Sequence, residues 1–279
     1  PLYHLFQGAE DLPLAQGTQG DVVLLLDTHY VDLMELFQRL YPTAVAEMVH
    51  GRLGEPLFLK VTIPPQEIAA IGGLEGQYEL PDGHTVHQRE AQIDSDWAAK
   101  MSSLGAVPAV ATWYGGIAIP RSGVYTFRSD GPLKVEVGGR VVNGPTFLGK
   151  GLQTFRVTQA APAQATRARL YWQSPDREEE LVPPDLLFAV SGWEHGLRGT
   201  YYRGETLEGP AVFDRVDPLI LFAWPDPEPW NGAFSARWAG EIEAPETGAY
   251  TFRLGADDGV RFYLDGQLLG EQWKPDRAN

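Results

Sequence analysis

The 279-residue sequence contains no cysteine. This absence excludes disulfide bonds, thiolate nucleophiles and metal sites built on thiolates. No apolar run approaches the roughly 18 residues that a membrane-spanning helix requires, and no signal peptide is visible. Because the sequence opens on Pro1 rather than on methionine, we expect it to be an excised part of a longer protein, with any targeting or anchoring segment outside it.

Positive charge is also scarce. The sequence has 22 lysines and arginines against 37 aspartates and glutamates, which gives a net charge of −15 at pH 7. A chain without a basic segment is poorly suited to a phosphate backbone or an anionic membrane surface. We therefore expect no nucleic-acid partner, and membrane contact only through segments outside this chain. The acidic C-terminal segment is better suited to a cation or a neutral ligand.

The first 72 residues predict a small α+β domain. Val22–Leu26 is a short apolar run that predicts a buried strand. The helix predicted after it has apolar residues three and four positions apart, namely Leu33, Leu36, Phe37 and Leu40. Residues 44–50 and 56–63 predict two further strands, so the expected order is strand, helix, strand, strand.

The remainder of the chain contains an internal repeat. Residues 113–128 and 238–253 align without a gap and share nine identical residues. Shorter matches flank this stretch in the same order, which indicates a duplicated domain of roughly 120 residues. Short alternating runs joined by turns, including an Asp-Gly hairpin signal at 265–266, favour a β-sandwich. We expect the two repeats to superpose, with Trp113 over Trp238 and Tyr125 over Tyr250.

These patterns predict a mainly β protein with a small α+β layer at its N-terminus. Two tandem antiparallel β-sandwiches follow it. The expected domains are residues 1–72, residues 73–190 as a degenerate sandwich, and residues 191–279 as a second sandwich. The first sandwich continues for about 45 residues beyond the point that matches Asn279, so the second is expected to be truncated at its C-terminus.

Two family resemblances follow from these motifs. The second repeat contains Gly-Leu-Arg-Gly-Thr-Tyr-Tyr (196–202), Pro-Glu-Thr-Gly-Ala-Tyr-Thr-Phe (245–252) and Asp-Asp-Gly-Val-Arg-Phe-Tyr-Leu-Asp-Gly (257–266). It resembles the protective-antigen-type β-sandwich (the PA-fourteen domain), and residues 73–190 resemble the same family more loosely. The N-terminal segment, through residues 21–27 and 36–42, resembles the extracytoplasmic tail of bacterial membrane glycosyltransferases of the dolichyl-phosphate-mannose-dependent type.

Four residues of the second repeat are candidate ligand-binding residues. In sugar-binding members of the PA-fourteen family, an Asp-Asp pair at this position holds Ca²⁺, and the metal coordinates sugar hydroxyls. The resemblance implies that role for Asp257 and Asp258, whose alternative role is to stabilise the turn through hydrogen bonds to the backbone. Trp230, in a proline-rich loop, and Tyr202 are candidates for stacking on a sugar, and Trp230 has the alternative of packing back onto the sandwich.

The sequence contains no recognisable catalytic constellation. His84 and His87 are three residues apart, but Pro81 and Gly83 argue against the helix that would bring them together. We therefore expect no enzymatic activity from this chain itself. The predicted function is a non-catalytic, extracytoplasmic, glycan-related binding region of a larger, membrane-anchored glycosyltransferase-like protein. The alternative is a structural or interaction spacer that binds no small ligand.

Overall fold

The computed structural model describes residues 6, 8–17, 19–162, 166–189, 196–222, 232–256 and 258–272. These residues are mainly β, with antiparallel strand pairing throughout the sheets, which confirms the predicted fold class. Internal contacts divide the chain into two compact units, Pro1–Gly240 and Glu241–Asn279.

Short helices and strands alternate along the chain, and their bounds are as follows. The α-helices are α1 (Met34–Leu40), α2 (Pro65–Ala70) and α3 (Trp97–Leu104). The strands are β1 (Val22–Leu26), β2 (Val45–His50), β3 (Pro56–Ile63), β4 (Leu74–Glu79), β5 (Thr85–Glu90), β6 (Asp94–Asp96), β7 (Val110–Ile119), β8 (Gly123–Asp130), β9 (Leu133–Val137), β10 (Arg140–Val141), β11 (Thr146–Leu148), β12 (Gly151–Ala160), β13 (Arg167–Ser174), β14 (Arg177–Leu181), β15 (Leu187–Phe188), β16 (Leu197–Arg203), β17 (Phe213–Asp217), β18 (Phe234–Ala239), β19 (Val260–Leu264) and β20 (Gln267–Gln272).

The N-terminal layer is a three-stranded antiparallel sheet in the order β1-β3-β2 with α1 packed on one face. The predicted helix starts as a 3-10 turn, Thr28–Leu33, and becomes α-helical only at Met34. Its four predicted apolar residues are all buried in the core of this layer, which confirms the helical face. Two residues of the following segment, Leu152 and Phe188, belong to the same core.

Strand β1 differs from its prediction as a fully buried strand. It lies at the edge of the sheet, and its side chains alternate between the core and solvent. Val23 and Leu25 are 49% and 64% exposed. The physical reason is that α1 covers only one face of this sheet in the described residues, so only every second side chain of a strand can be buried.

The first repeat is a two-sheet antiparallel sandwich. One sheet has the order β10-β9-β12-β7-β4-β5, with β15 paired to β7. The facing sheet has the order β11-β8-β13-β14, with β6 paired to β13. Its core is rich in aromatic residues, and Trp113 and Trp172 are fully buried there. The Tyr125 and Trp172 rings lie 5.2 Å apart between centroids.

The start of the second repeat reproduces the corresponding strand register of the first. Strand β4 pairs Gly76 with Trp113, and β16 pairs Gly199 with Trp238. A Cβ on Gly199 would lie 2.3 Å from a carboxylate oxygen of Asp217 and 3.1 Å from the Trp238 ring nitrogen. The glycine is therefore required by the tight packing of its neighbours.

In each repeat, a tyrosine side chain stabilises the same turn through a hydrogen bond to the backbone. The Tyr125 hydroxyl donates to the carbonyl of Arg121 at 2.8 Å. The Tyr250 hydroxyl donates to the carbonyl of Glu246 at 2.6 Å, again four residues earlier. The hydrogen bond holds the chain in the Pro-x-x-Gly turn that the sequence repeats, so the local turn structure is duplicated together with its residues.

The second unit contains less strand than the sequence predicted. Strands β19 and β20 form the predicted hairpin, and Asp265 and Gly266 both have positive φ, as a type I′ turn requires. Residues 241–244 and 249–254, however, form no ladder among the described residues. In the first repeat the strand equivalent to 249–254 is β8, which β11 and β13 flank. Without such hydrogen-bonded neighbours, a short segment is not a stable strand.

Candidate functional site

Only part of the predicted ligand set lies within the described structure. Trp230 and Asp257 fall outside the described residues. Asp258 is exposed just before β19. Tyr202 lies on β16 opposite Ser235 and is half-buried, because the strand alternates and turns its neighbour Tyr201 into the core. Within the described ranges no three carboxylates or histidines cluster as metal ligands would.

In the first repeat, the aspartate at the position equivalent to Asp258 is hydrogen-bonded to other side chains. Asp130 corresponds to Asp258, and its carboxylate accepts from Arg128 at 2.9 Å and from the Tyr171 hydroxyl at 3.1 Å. The Arg128 guanidinium lies 4.0 Å from the centroid of the Tyr171 ring and also contacts both oxygens of Glu179. The Arg128 hydrogen bond is the main cause that lowers the pKa of Asp130. The Asp130 carboxylate is therefore already engaged in hydrogen bonds with other side chains at the protein surface.

Asp258 differs from Asp130 in this respect. Among the described residues it forms no salt bridge, and Ser129 of the first repeat is replaced by a second aspartate, Asp257. Residues 191–279 carry 15 acidic and 8 basic side chains, so this segment has a negative net charge. Two adjacent carboxylates in such a field provide the oxygen donors that a hard cation prefers.

The structure also contains a polar cluster that the sequence did not reveal. Asp217 on β17 is 3% exposed, and its carboxylate accepts from three donors. These are the Tyr201 hydroxyl at 2.5 Å, the Trp238 ring nitrogen at 2.7 Å and the Arg215 Nε at 2.5 Å. Burial is the main cause that raises the pKa of Tyr201, so this hydroxyl stays protonated and donates.

A related cluster occupies the same place in the first repeat. The Tyr78 hydroxyl donates to Glu90 at 2.7 Å and accepts from Lys100 at 3.0 Å, while Lys100 also contacts Glu90 directly. Burial, followed by the Glu90 interaction, raises the pKa of Tyr78. The register pairs Leu74 with Glu90 and Leu197 with Asp217, so the two carboxylates are equivalent. The Gly-x-Tyr motif that the two repeats share identifies only the tyrosine of each cluster, and not its carboxylate or its cation.

The cation of each cluster comes from a different element, which explains why the repeat did not predict it. In the first repeat the cation is Lys100 on α3, and in the second it is Arg215 on β17. Arg215 additionally donates to the backbone carbonyl of Lys150, and the Lys150 ammonium lies 2.7 Å from Asp11. The N-terminal segment, the first repeat and the start of the second therefore meet at these side chains.

Among the described residues, the recess at this junction is too small for a sugar. A recess lined by Ala9, Leu152, Arg215 and Phe222, among others, has room for about one water-sized group. The ring of Phe213 covers Gly149, whose Cβ would lie 2.3 Å from it, and stacks on Phe147 with centroids 5.9 Å apart. The junction is thus a packed interface.

Comparisons with known proteins identify the second repeat. The PA14 domain family model matches residues 193–279. The anti-sigma-I factor RsgI3 of Acetivibrio thermocellus is 32% identical to this chain over 120 residues, which is 40% of this chain and 18% of that protein. The chain thus spans about a fifth of the length of this curated relative.

Solved structures give weaker likenesses. An anti-sigma factor domain-containing protein is 25% identical with a TM-score of 0.39, covering 73% of this chain and 80% of that one. The C2-II transport component of the Clostridium botulinum C2 toxin is 19% identical with a TM-score of 0.37, covering 56% of this chain and 34% of that one. TM-scores this low carry no argument on their own.

The predicted link to a glycosyltransferase is wrong. The curated relative is an anti-sigma factor, and nothing supports the glycosyltransferase-tail resemblance of the N-terminal segment. The weak motifs behind that resemblance, a strand and a helix stop, are common in unrelated α+β layers. No helix in the described ranges is long and apolar enough to cross a bilayer. The PA14 match and the anti-sigma factor relative fit an extracellular region. The second repeat, at residues 193–279, thus matches the PA14 domain family model.

Proposed function

We propose that this chain is the carbohydrate-binding, extracytoplasmic part of an anti-sigma-factor-like regulator. The PA14 match over residues 193–279 carries the binding half of this proposal. The 32% identity to the anti-sigma-I factor supports the regulatory half. Binding of an external glycan by the second repeat would be the input that such a regulator receives.

Within the second repeat, Asp257 and Asp258 are the proposed binding residues. They would hold a Ca²⁺ ion, which supplies coordination sites for sugar hydroxyls when bound. The contrast with the first repeat supports this assignment, because the equivalent Asp130 already accepts from Arg128 and Tyr171. Asp258 is exposed and makes no salt bridge among the described residues, so its carboxylate can serve a ligand. Trp230 and Tyr202 stay predictions for separate sugar contacts.

The same contrast favours a second role for the first repeat, namely that of a structural spacer. Its candidate ligand position is engaged in internal contacts, and it shares Leu152 and Phe188 with the core of the N-terminal layer. In this division of labour the first repeat positions the second and binds no glycan.

A glycan microarray with the full chain tests the proposed function. We expect binding of a restricted set of glycans in millimolar Ca²⁺, and loss of that binding in EDTA. The Asp258→Asn variant should lose the same signals, whereas the matched variant Asp130→Asn in the first repeat should keep them. An array without calcium-dependent signals would contradict carbohydrate binding and would leave only the spacer role for both repeats.

A further inference from the structure

The edge of the N-terminal sheet has the character of a strand-binding surface. Strand β1 pairs with β3 over five consecutive residues, from Val22 opposite Ile63 to Leu26 opposite Leu59, without a register shift. In the described ranges no strand pairs with its other side. That side therefore presents backbone N–H and C=O groups in a regular, extended row.

Edge strands are usually protected against pairing by charged side chains, proline or a bulge. The opposite edge of this sheet, β2, has such protection, with Glu47 within the strand and a register shift between Val49 and His50. Strand β1 consists of two valines and three leucines and has none of these features. One edge strand of this sheet, β2, is thus protected against pairing with another strand, whereas the other edge strand, β1, is not.

Two apolar side chains of β1 face outward next to this edge, and Leu25 lies in the same cross-strand row as Lys60 and Glu47. Val23 and Leu25 are 49% and 64% exposed, whereas Leu26 is buried in the core. Val23 lies in the same cross-strand row as Thr62 and the exposed Val45. An added strand would therefore cover apolar surface in addition to forming backbone hydrogen bonds.

Charge at the ends of β1 specifies the kind of partner. Asp21 precedes the strand and Asp27 follows it, and residues 1–72 contain 9 acidic but 3 basic side chains. Two copies of β1 paired antiparallel about Leu24 would place Asp21 opposite Asp27 at both ends, which is unfavourable. A segment with basic residues at its ends would instead be attracted.

We propose that β1 accepts an extended segment of a partner protein as an additional strand of this sheet. The segment has apolar or β-branched residues at alternate positions and a lysine or arginine at each end. It pairs with the open side of β1 and places its outward side chains beside Val23 and Leu25. This surface lies on the N-terminal layer and does not depend on carbohydrate binding by the second repeat.

A synthetic peptide serves as the probe. A fluorescein-labelled Lys-Val-Thr-Val-Thr-Val-Lys peptide is titrated into the full chain, and fluorescence anisotropy reports binding. We expect saturable binding that is at least tenfold tighter than that of the same peptide with glutamate at both ends. Hydrogen exchange of amides in Val22–Leu26 should slow on addition of the peptide.

Two matched variants locate the surface. Leu25→Lys and Val45→Lys each place one lysine at a position that is 64% exposed, on β1 and on the opposite edge strand. We expect Leu25→Lys to weaken peptide binding at least tenfold and Val45→Lys to change it less than threefold, with equal melting temperatures. Equal effects of the two variants, or no binding at millimolar peptide, would overturn the proposal. A dimer of the free chain that Leu25→Lys dissociates would also overturn it, since the occupant would then be a second copy.

Discussion

Removing the Asp217 carboxylate should destabilise the first unit strongly. In Asp217→Ala the Arg215 guanidinium, whose side chain is 7% exposed, loses its counter-ion while remaining buried. The Tyr201 hydroxyl and the Trp238 ring nitrogen lose the same acceptor. Breaking a buried ion pair by deleting one partner costs about 3–5 kcal/mol, because the remaining charge is left uncompensated. Arg215 retains its bond to the Lys150 carbonyl, which argues against a larger value.

Urea denaturation of the full chain, followed by tryptophan fluorescence, measures this effect. The expected result is a loss of about 3–5 kcal/mol in the free energy of unfolding of the transition that includes Trp238. Glu271→Ala is the control, because its pair with Arg261 spans 2.6 Å between exposed side chains. An exposed pair contributes about 0–1 kcal/mol. A loss below about 1 kcal/mol for Asp217→Ala would refute the claim that the cluster holds the interface together.

A double substitution tests whether the loss of stability comes from the uncompensated charge or from the lost hydrogen bonds. Arg215→Met combined with Asp217→Leu removes both charges and keeps apolar volume at the site. Replacing a buried ion pair by apolar residues is often neutral or stabilising. We therefore expect the double variant to be more stable than Asp217→Ala. If the double variant is as unstable as Asp217→Ala, the loss comes from the hydrogen bonds to Tyr201 and Trp238.

Three further predictions concern the turns and the interface. Tyr125→Phe should lower the free energy of unfolding by about 0.5–1.5 kcal/mol in a urea titration, since it removes the corner hydrogen bond; an unchanged midpoint would contradict this. Gly149→Ala should destabilise by about 1–3 kcal/mol in the same assay, since its Cβ would overlap the ring of Phe213; no loss would show that the ring moves freely. The Asp82 carboxylate raises the pKa of His84 through their side-chain hydrogen bond, and His84 in turn lowers the pKa of Asp82. This pair exists only between the two pKa values, lost as pH rises through that of His84 or falls through that of Asp82. In NMR titration, Asp82→Asn should return the His84 midpoint to its ordinary range, and a midpoint that stays raised would exclude the pair.

The parts of the fold predicted from sequence are those in which a short pattern determines its own structure. The Asp265-Gly266 turn adopts the expected positive φ values because only such residues fit a type I′ hairpin. Trp113 and Trp238, which the repeat aligns, lie opposite glycines that the repeat also aligns, Gly76 and Gly199. The hairpin residues are adjacent in the sequence, whereas each tryptophan and its glycine lie in separate stretches that the repeat aligns.

The parts missed depend on distant partners. Residues 249–254 have the alternation of a strand, yet a ladder also needs neighbours, which no local pattern supplies. The buried clusters were not visible because Lys100 and Arg215 come from non-equivalent elements. The apolar sequence of β1 does not distinguish an edge from a central strand, since that depends on the sheet order.

Calorimetric titration of the full chain with the strongest array glycan, in millimolar Ca²⁺, tests whether the second repeat binds carbohydrate through Asp257 and Asp258. We expect measurable heat for the unmodified chain, at least tenfold weaker binding for Asp258→Asn, and unchanged affinity for Asp130→Asn. Equal affinity of all three proteins, or no heat from the unmodified chain, would contradict this expectation.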